Sequence, residues 1–224
     1  MSLTPHKIPA ILPKLFPGLL WHIREEPVLK TIYLTFDDGP VPGPTEFVLE
    51  VLRAHSIPAT FFCIGDNVRK HPDIFTRIIT EGHAIGNHTF NHLKGWSTSN
   101  NDYLKNIRQC ADEFVKQSGK SSNLFRPPYG RIRRQQIKLL DEYKIIMWDV
   151  LSLDYQPNQD TGKLLRGTIN ATRPGSIVVF HDSYKAELNL KFMLPNYIAH
   201  FLREGFQFKS LSFPEVDRVP NSKS

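Results

Sequence analysis

Cysteine is scarce in this chain. Cys63 and Cys110 are its only two, too few for a disulfide framework, and each falls within an apolar pattern that suits a buried free thiol. Long hydrophobic runs are missing as well. The most apolar N-terminal stretch, Ile11 to Trp21, carries Lys14 and is interrupted by Pro13 and Pro17, so it fits neither a secretory hydrophobic segment nor a membrane span. With no export signal visible, the expected location is cytoplasmic or peripheral, with no transmembrane segment. There is no low-complexity block, heptad run or short repeat, which excludes arrays and coiled coils. Lysine and arginine outnumber the acids 28 to 22, a net charge of +6. The basic residues are scattered, however, and no aromatic-interleaved basic motif occurs, so nucleic acid is excluded as a partner, whereas an acidic glycan remains compatible.

What the chain does contain is a succession of short apolar or β-branched runs. They lie at Thr31 to Phe36, Ala59 to Cys63, Ala84 to Gly86, Leu124 to Arg126, Lys144 to Trp148, Ser176 to Phe180 and Phe206 to Leu211, and each reads as a strand. Helical spacing fills intervals between them. Pro44 to His55 opens on a proline suited to a first helical turn, and Asn101 to Ser118 places Tyr103, Leu104, Ile107, Ala111, Phe114 and Val115 together before Gly119 stops it. Strands alternating with helices predict parallel pairing through right-handed crossovers. The fold class is therefore α/β, and a deformed (β/α) barrel of about seven parallel strands is favoured over a doubly wound sheet. One domain over residues 31–212 is expected, with surface-running extensions at 1–30 and 213–224.

Unusual polar residues gather at the ends of these strands. Asp37 and Asp38 follow the first, His88 and His92 the third, Arg126 ends the fourth, Asp149 and Asp154 follow the fifth, and His181 with Asp182 follows the sixth. A single Asp after a strand is commonly a cap or turn residue, but in a barrel the C-terminal strand ends converge on one face, where catalytic groups meet. His88 and His92 are four apart, which on a helical turn stacks one imidazole above the other, and Asp38 is the natural third ligand of a divalent metal site. Such a set leaves positions open for water, whose acidity the metal raises. The Gly39-Pro40 turn would let both neighbouring carboxylates face the site, one as ligand and one as base.

These residues resemble the motifs of the polysaccharide deacetylase family, the NodB-homology group known as carbohydrate esterase family 4. Thr35-Phe36-Asp37-Asp38-Gly39 is similar to its first motif, His88-Thr89-Phe90-Asn91-His92 to its second, Arg126-Pro127-Pro128-Tyr129-Gly130 to its third and Val178-Val179-Phe180-His181 to its fifth. The fourth departs: where the family has Asp-x-x-Asp-Trp, this chain has Leu151-Ser152-Leu153-Asp154-Tyr155. The resemblance implies a metal-dependent hydrolase that removes acetyl groups from N-acetylated sugars of a peptidoglycan- or chitin-like glycan. It implies one divalent ion on Asp38, His88 and His92, with zinc expected and cobalt, nickel or manganese admissible. It further implies Asp37 as general base paired with Arg126, His181 as general acid paired with Asp154, and the backbone N–H of Tyr129 at the oxyanion. Tyr155 becomes a substrate-facing residue that changes the sugar groove, and Trp96 and Trp148 are further candidates for sugar stacking or core filling. Asp149 is an alternative partner for His181 or Arg126, while His22, His55, His71, His83 and His200 read as structural. Hydrolysis of an O-acetyl ester or a small cyclic amide would use the same groups. A non-haem iron oxygenase would share the two-His-one-carboxylate set but has no need of Asp37, Arg126 and His181.

Overall fold

The computed structural model describes residues 5–24 and 29–213. Eight strands form one parallel sheet: β1 (Thr31–Asp37), β2 (Thr60–Cys63), β3 (Ala84–Asn87), β4 (Leu124–Phe125), β5 (Lys144–Ile145), β6 (Val150–Leu151), β7 (Ser176–His181) and β8 (Gln207–Lys209). Their order is β5-β4-β3-β2-β1-β7-β6. β8 shares one edge of β1 with β2, pairing with Thr31–Tyr33 while β2 pairs with Thr35–Asp37. Strand β1 is buried along its whole length, as expected of a parallel strand covered on both faces. Its side chains alternate: Ile32, Leu34 and Phe36 join the large outer cluster under the helices, and Tyr33 joins a smaller inner cluster with Phe62, Leu124, Ile146, Ile177 and Leu211.

The helices supply the outer layer. α1 (Ile11–Leu15) is a single short turn, followed by α2 (Pro44–Ala54), α3 (Gly65–Lys70), α4 (Pro72–Thr80), α5 (Asn100–Ser118), α6 (Arg134–Leu139), α7 (Thr161–Ala171) and α8 (Glu187–Arg203). Among the described residues no helix is long and apolar enough to cross a membrane. α5 is capped by the Ser99 hydroxyl, which accepts from the Asp102 N–H at 3.2 Å, and Gly119 ends it with φ 67°. Its buried face runs through Tyr103, Asn106, Ile107, Cys110 and Phe114. Val115, expected inside, is exposed because that stripe turns past it.

Two expectations change. The run Lys144 to Trp148 is not one strand: pairing to β4 stops after Ile145, and the chain crosses to a separate strand, β6, against β7. Neither β5 nor β6 pairs with the other; residues 5–24 close the gap. Leu20 bridges Ile146, its N–H donating to the Ile145 carbonyl at 2.9 Å, while Ile23 donates to Gly175 and His6 accepts from Leu151. Leu19 and Trp21 are buried with Phe125, Ile145 and Met147. The N-terminal segment is thus a stave of the barrel as well as a surface strap, because an open seam would leave backbone groups of β5 and β6 unpaired. The expected C-terminal extension lies, beyond Phe213, outside the described residues.

Candidate active site

Parallel register delivers the polar residues to one rim. Asp37 stands beside His181 across β1 and β7, and Asn87, which precedes His88, is level with Cys63 and Phe125 on the neighbouring strands. At the centre, Oδ1 of Asp38 is 3.2 Å from Nε2 of His92 and 3.7 Å from Nε2 of His88. One ligand atom from each of the three residues lies within 4.8 Å of the others, a grouping able to hold a metal ion.

The donor chemistry fits such an ion. His88 donates its Nδ1–H to the Arg126 carbonyl at 2.8 Å, which fixes the tautomer and leaves the Nε2 lone pair facing Asp38. Burial pulls its pKa down to about 4, so the imidazole is neutral at physiological pH, as a ligand must be. Asp38 is held well below the usual carboxylate range: burial opposes its charge, but the His92 contact and the nearby His181 and His88 outweigh it. No helical turn carries the two imidazoles. Residues 88–92 form an irregular bend with Thr89 at φ 64° and His92 at φ 56°. It is tied by Asn106 of α5, whose side-chain oxygen accepts from the Phe90 and Asn91 N–H groups at 2.8 and 3.0 Å. The rings converge to 5.0 Å all the same.

Asp37 and Arg126 form a buried pair at 2.6 Å. Arg126 is fully buried, donating also to the Thr35 hydroxyl and the carbonyls of Ile146 and Met147, with its guanidinium 4.0 Å from the Phe62 ring centre. All these contacts hold the guanidinium in place against the Asp37 carboxylate. The second oxygen of Asp37 is 4.0 Å from Nε2 of His88. Asp38 reaches the same imidazole because its backbone is left-handed, φ 85°, which turns the second carboxylate of the doublet inward.

His181 donates Nδ1–H to Asp154 at 2.7 Å, and Asp154 also accepts the His181 backbone N–H at 2.8 Å and the Ser152 hydroxyl at 2.8 Å. Burial alone would depress the imidazole, but Asp154, aided by Asp38 and Asp37, pushes its pKa up to about 9. Asp149 is elsewhere. It receives His22 at 2.9 Å, the Ser176 hydroxyl and the Ile177 N–H at the N-terminal end of β7, so it anchors the closing strap and partners neither His181 nor Arg126. His83 accepts from the Ala59 N–H and packs on Phe61. Both cysteines are buried and free.

Aromatic rings wall the cleft. The Tyr129 ring lies 4.7 Å from that of His92, and Tyr155 lies edge-on to His181 at 4.9 Å. Tyr129 itself is left-handed, φ 60°, as is Leu153, φ 61°. Among the described residues, five of the six non-glycine residues with positive φ, namely Asp38, Thr89, His92, Tyr129 and Leu153, thus belong to loops of this rim. Trp148 packs against Gly130 inside, whereas Trp96 is exposed and donates its indole N–H to Ile132.

Supporting residues carry little sequence signal. Asp182 is buried under the Asp37–Asp38 loop, accepting from the Gly39 N–H at 3.0 Å and the Thr45 hydroxyl at 2.7 Å. Gly39 has to be glycine there, because a β-carbon would collide with the Asp182 carboxylate. Asn67 donates to the Asp38 carbonyl at 2.7 Å.

Fold and site together describe an α/β barrel whose strand-end rim carries a carboxylate–imidazole cluster able to hold a metal ion. Residues 24–148 match the polysaccharide deacetylase family, and the chain belongs to that family. It is 34% identical over 155 residues to a peptidoglycan-N-acetylglucosamine deacetylase of Bacillus cereus, covering 68% of this chain and 56% of that relative. It is 32% identical over 200 residues to the peptidoglycan-N-acetylmuramic acid deacetylase PdaA of Bacillus subtilis, covering 86% and 75%. The solved Bc1960 peptidoglycan N-acetylglucosamine deacetylase, in complex with 4-naphthalen-1-yl-N-oxidanyl-benzamide, superposes with a TM-score of 0.82 at 27% identity, covering 91% of this chain and 95% of that one.

Proposed function

We propose that this protein is a metal-dependent deacetylase that hydrolyses the N-acetyl group of N-acetylglucosamine or N-acetylmuramic acid residues in a peptidoglycan-like glycan. The observation that carries the reading is the convergence of Asp38, His88 and His92 within 4.8 Å, flanked by the Asp37–Arg126 and Asp154–His181 pairs. The names of the similar proteins supply the glycan class.

Asp38, His88 and His92 would hold one divalent ion, zinc by the nature of the ligands, with cobalt, nickel or manganese as substitutes. When bound, that ion supplies Lewis-acid polarisation of the acetyl carbonyl and lowers the pKa of water. Asp37 is the general base: Arg126 holds one carboxylate oxygen at 2.6 Å and the other lies 4.0 Å from Nε2 of His88, placed to take the proton of the attacking water. His181 is the general acid. With Nδ1–H committed to Asp154, its Nε2–H is the proton available to the departing amine, and its raised pKa keeps that proton in place at neutral pH. The Tyr129 backbone N–H serves the oxyanion of the tetrahedral intermediate. Tyr155 offers a ring to the sugar where the family has Trp, a smaller stacking surface that changes substrate preference and leaves the proton donor untouched.

The test is acetate release from N-acetylglucosamine oligomers and peptidoglycan strands after zinc loading. Asp37→Asn should keep the metal stoichiometry, because the three ligands remain, and lose activity by about 10² to 10⁴ fold. Normal turnover by that variant would make Asp37 a structural turn residue, and absence of acetate release by the zinc-loaded wild type from every glycan would reject the reading.

A further inference from the structure

The proposed reaction leaves one feature of the cleft unused. Lys94 Nζ lies 4.7 Å from the centre of the Tyr129 ring, which itself packs 4.7 Å from His92. Across the site, Lys185 Nζ lies 5.3 Å from the centre of the Tyr155 ring, which packs 4.9 Å from His181. Each wall is thus an aromatic ring set against a site imidazole, with an ammonium group over the ring. Both lysines are exposed, and among the described residues neither has a carboxylate partner. Glu187, two residues from Lys185 along the chain, is paired with Lys191. On the Lys94 side the pattern extends to Arg131, whose guanidinium sits 5.2 Å from the ring centre of the exposed Trp96.

An ammonium resting on a ring face holds a weak contact, which it exchanges readily for a carboxylate brought beside it. Two such cations flanking the site, neither of them ion-paired among the described residues, make its mouth attractive to anionic polymers and repellent to cationic ones. We infer that the cleft takes a glycan bearing carboxylates on the units that flank the N-acetyl group being hydrolysed, and that Lys94 and Lys185 are the specificity-determining residues that read them. This deepens the deacetylase reading and rests on it. The rings of Tyr129 and Tyr155 meet sugar faces, while the lysines reach past the rings to a charge at the edge of the sugar. In a muramic-acid glycan that charge is the lactyl carboxylate, or a carboxylate of the peptide attached through it.

Kinetics of the zinc-loaded protein on matched substrates test the inference. These are a neutral N-acetylglucosamine hexamer, peptide-free glycan strands with free lactyl carboxylates, peptide-bearing strands, and each type of strand after carbodiimide amidation of its carboxylates. The expected result is a higher kcat/KM on carboxylated than on amidated strands, a preference that shrinks as salt rises. Lys94→Met and Lys185→Met, which keep an unbranched stem over the ring, should each reduce that preference about two- to five-fold, and the double variant by about the product. A preference on peptide-free strands assigns the carboxylate to the sugar; one confined to peptide-bearing strands assigns it to the peptide. Equal rates on carboxylated and amidated strands, or an unaltered preference in the double variant, overturns the inference while leaving the deacetylase reading intact. If even the neutral hexamer and all strands release no acetate, both fall together.

Discussion

At the scale of single residues, the site is a set of imidazoles and carboxylates whose neighbours decide their protonation. His88 and His181 have the same side chain and opposite behaviour. His88, buried with its Nδ1–H on a neutral carbonyl, is pushed down to about 4, whereas His181, buried against Asp154, is pushed up to about 9. One suits a ligand and the other a proton donor. The sign of the pH dependence follows. The acid form of His181 is present below its folded pKa and is lost as pH rises through about 9, so turnover should fall along that alkaline limb. Asp154→Asn removes the carboxylate that opposes desolvation, so the limb should move to lower pH while kcat drops by about 10² to 10⁴ fold, with KM little altered. A pH–rate profile of that variant with its limb in the wild-type position would assign the limb to another group.

At the scale of elements, function depends on how strand ends are finished. The loops after β1, β3 and β4 bend through left-handed residues at Asp38, Thr89, His92 and Tyr129, conformations that cost energy; Asn67 and Asp182 pin the first loop and Asn106 the second. The N-terminal strap plays the equivalent part for the barrel wall. It lies behind the carbonyls of Ile146 and Met147 that receive Arg126, so closing the β5–β6 seam also steadies the partner of Asp37. Trp21→Ala, which empties a buried position against Phe125 and Met147, should destabilise the protein by about 3 to 5 kcal/mol, read as a shift in the urea unfolding midpoint. An effect below about 0.5 kcal/mol, the usual size for surface substitutions, would show the strap to be dispensable to the barrel.

For the whole molecule, the cluster joins residues that are far apart in the chain, Asp38 with His88 and His92, so an ion held there ties the loop after β1 to the loop after β3. Binding to the folded state alone stabilises it by about 2.7 kcal/mol at a metal concentration of 100 times Kd. For a chain of this size that corresponds to a rise in Tm of roughly 5 to 10 °C. Calorimetry of chelator-treated protein with and without zinc should show this shift, and His92→Ala should remove most of it. A shift retained in that variant would place the bound ion elsewhere.

The pattern of residues along the chain determined the parallel α/β architecture and the rim on which the polar groups meet, because alternating strands and helices with right-handed crossovers put every C-terminal strand end on one face. It also determined which side chains were chemically capable: Asp37, Asp38, His88, His92, Arg126, Asp154 and His181 are read from their types and their places after apolar runs. Only the tertiary structure decided the rest. Strand β6 is two residues long, below what periodicity can signal, and the closing role of Leu20 and Trp21 depends on a gap that pairing between distant strands creates. Asp149 and Asp154 look alike as acids near a strand end; register alone sends one to the strap at the foot of β7 and the other to His181 at its head. The shifts of His88 and His181 come from burial and from neighbours supplied by other strands, a property of three-dimensional proximity that no local stretch of sequence encodes.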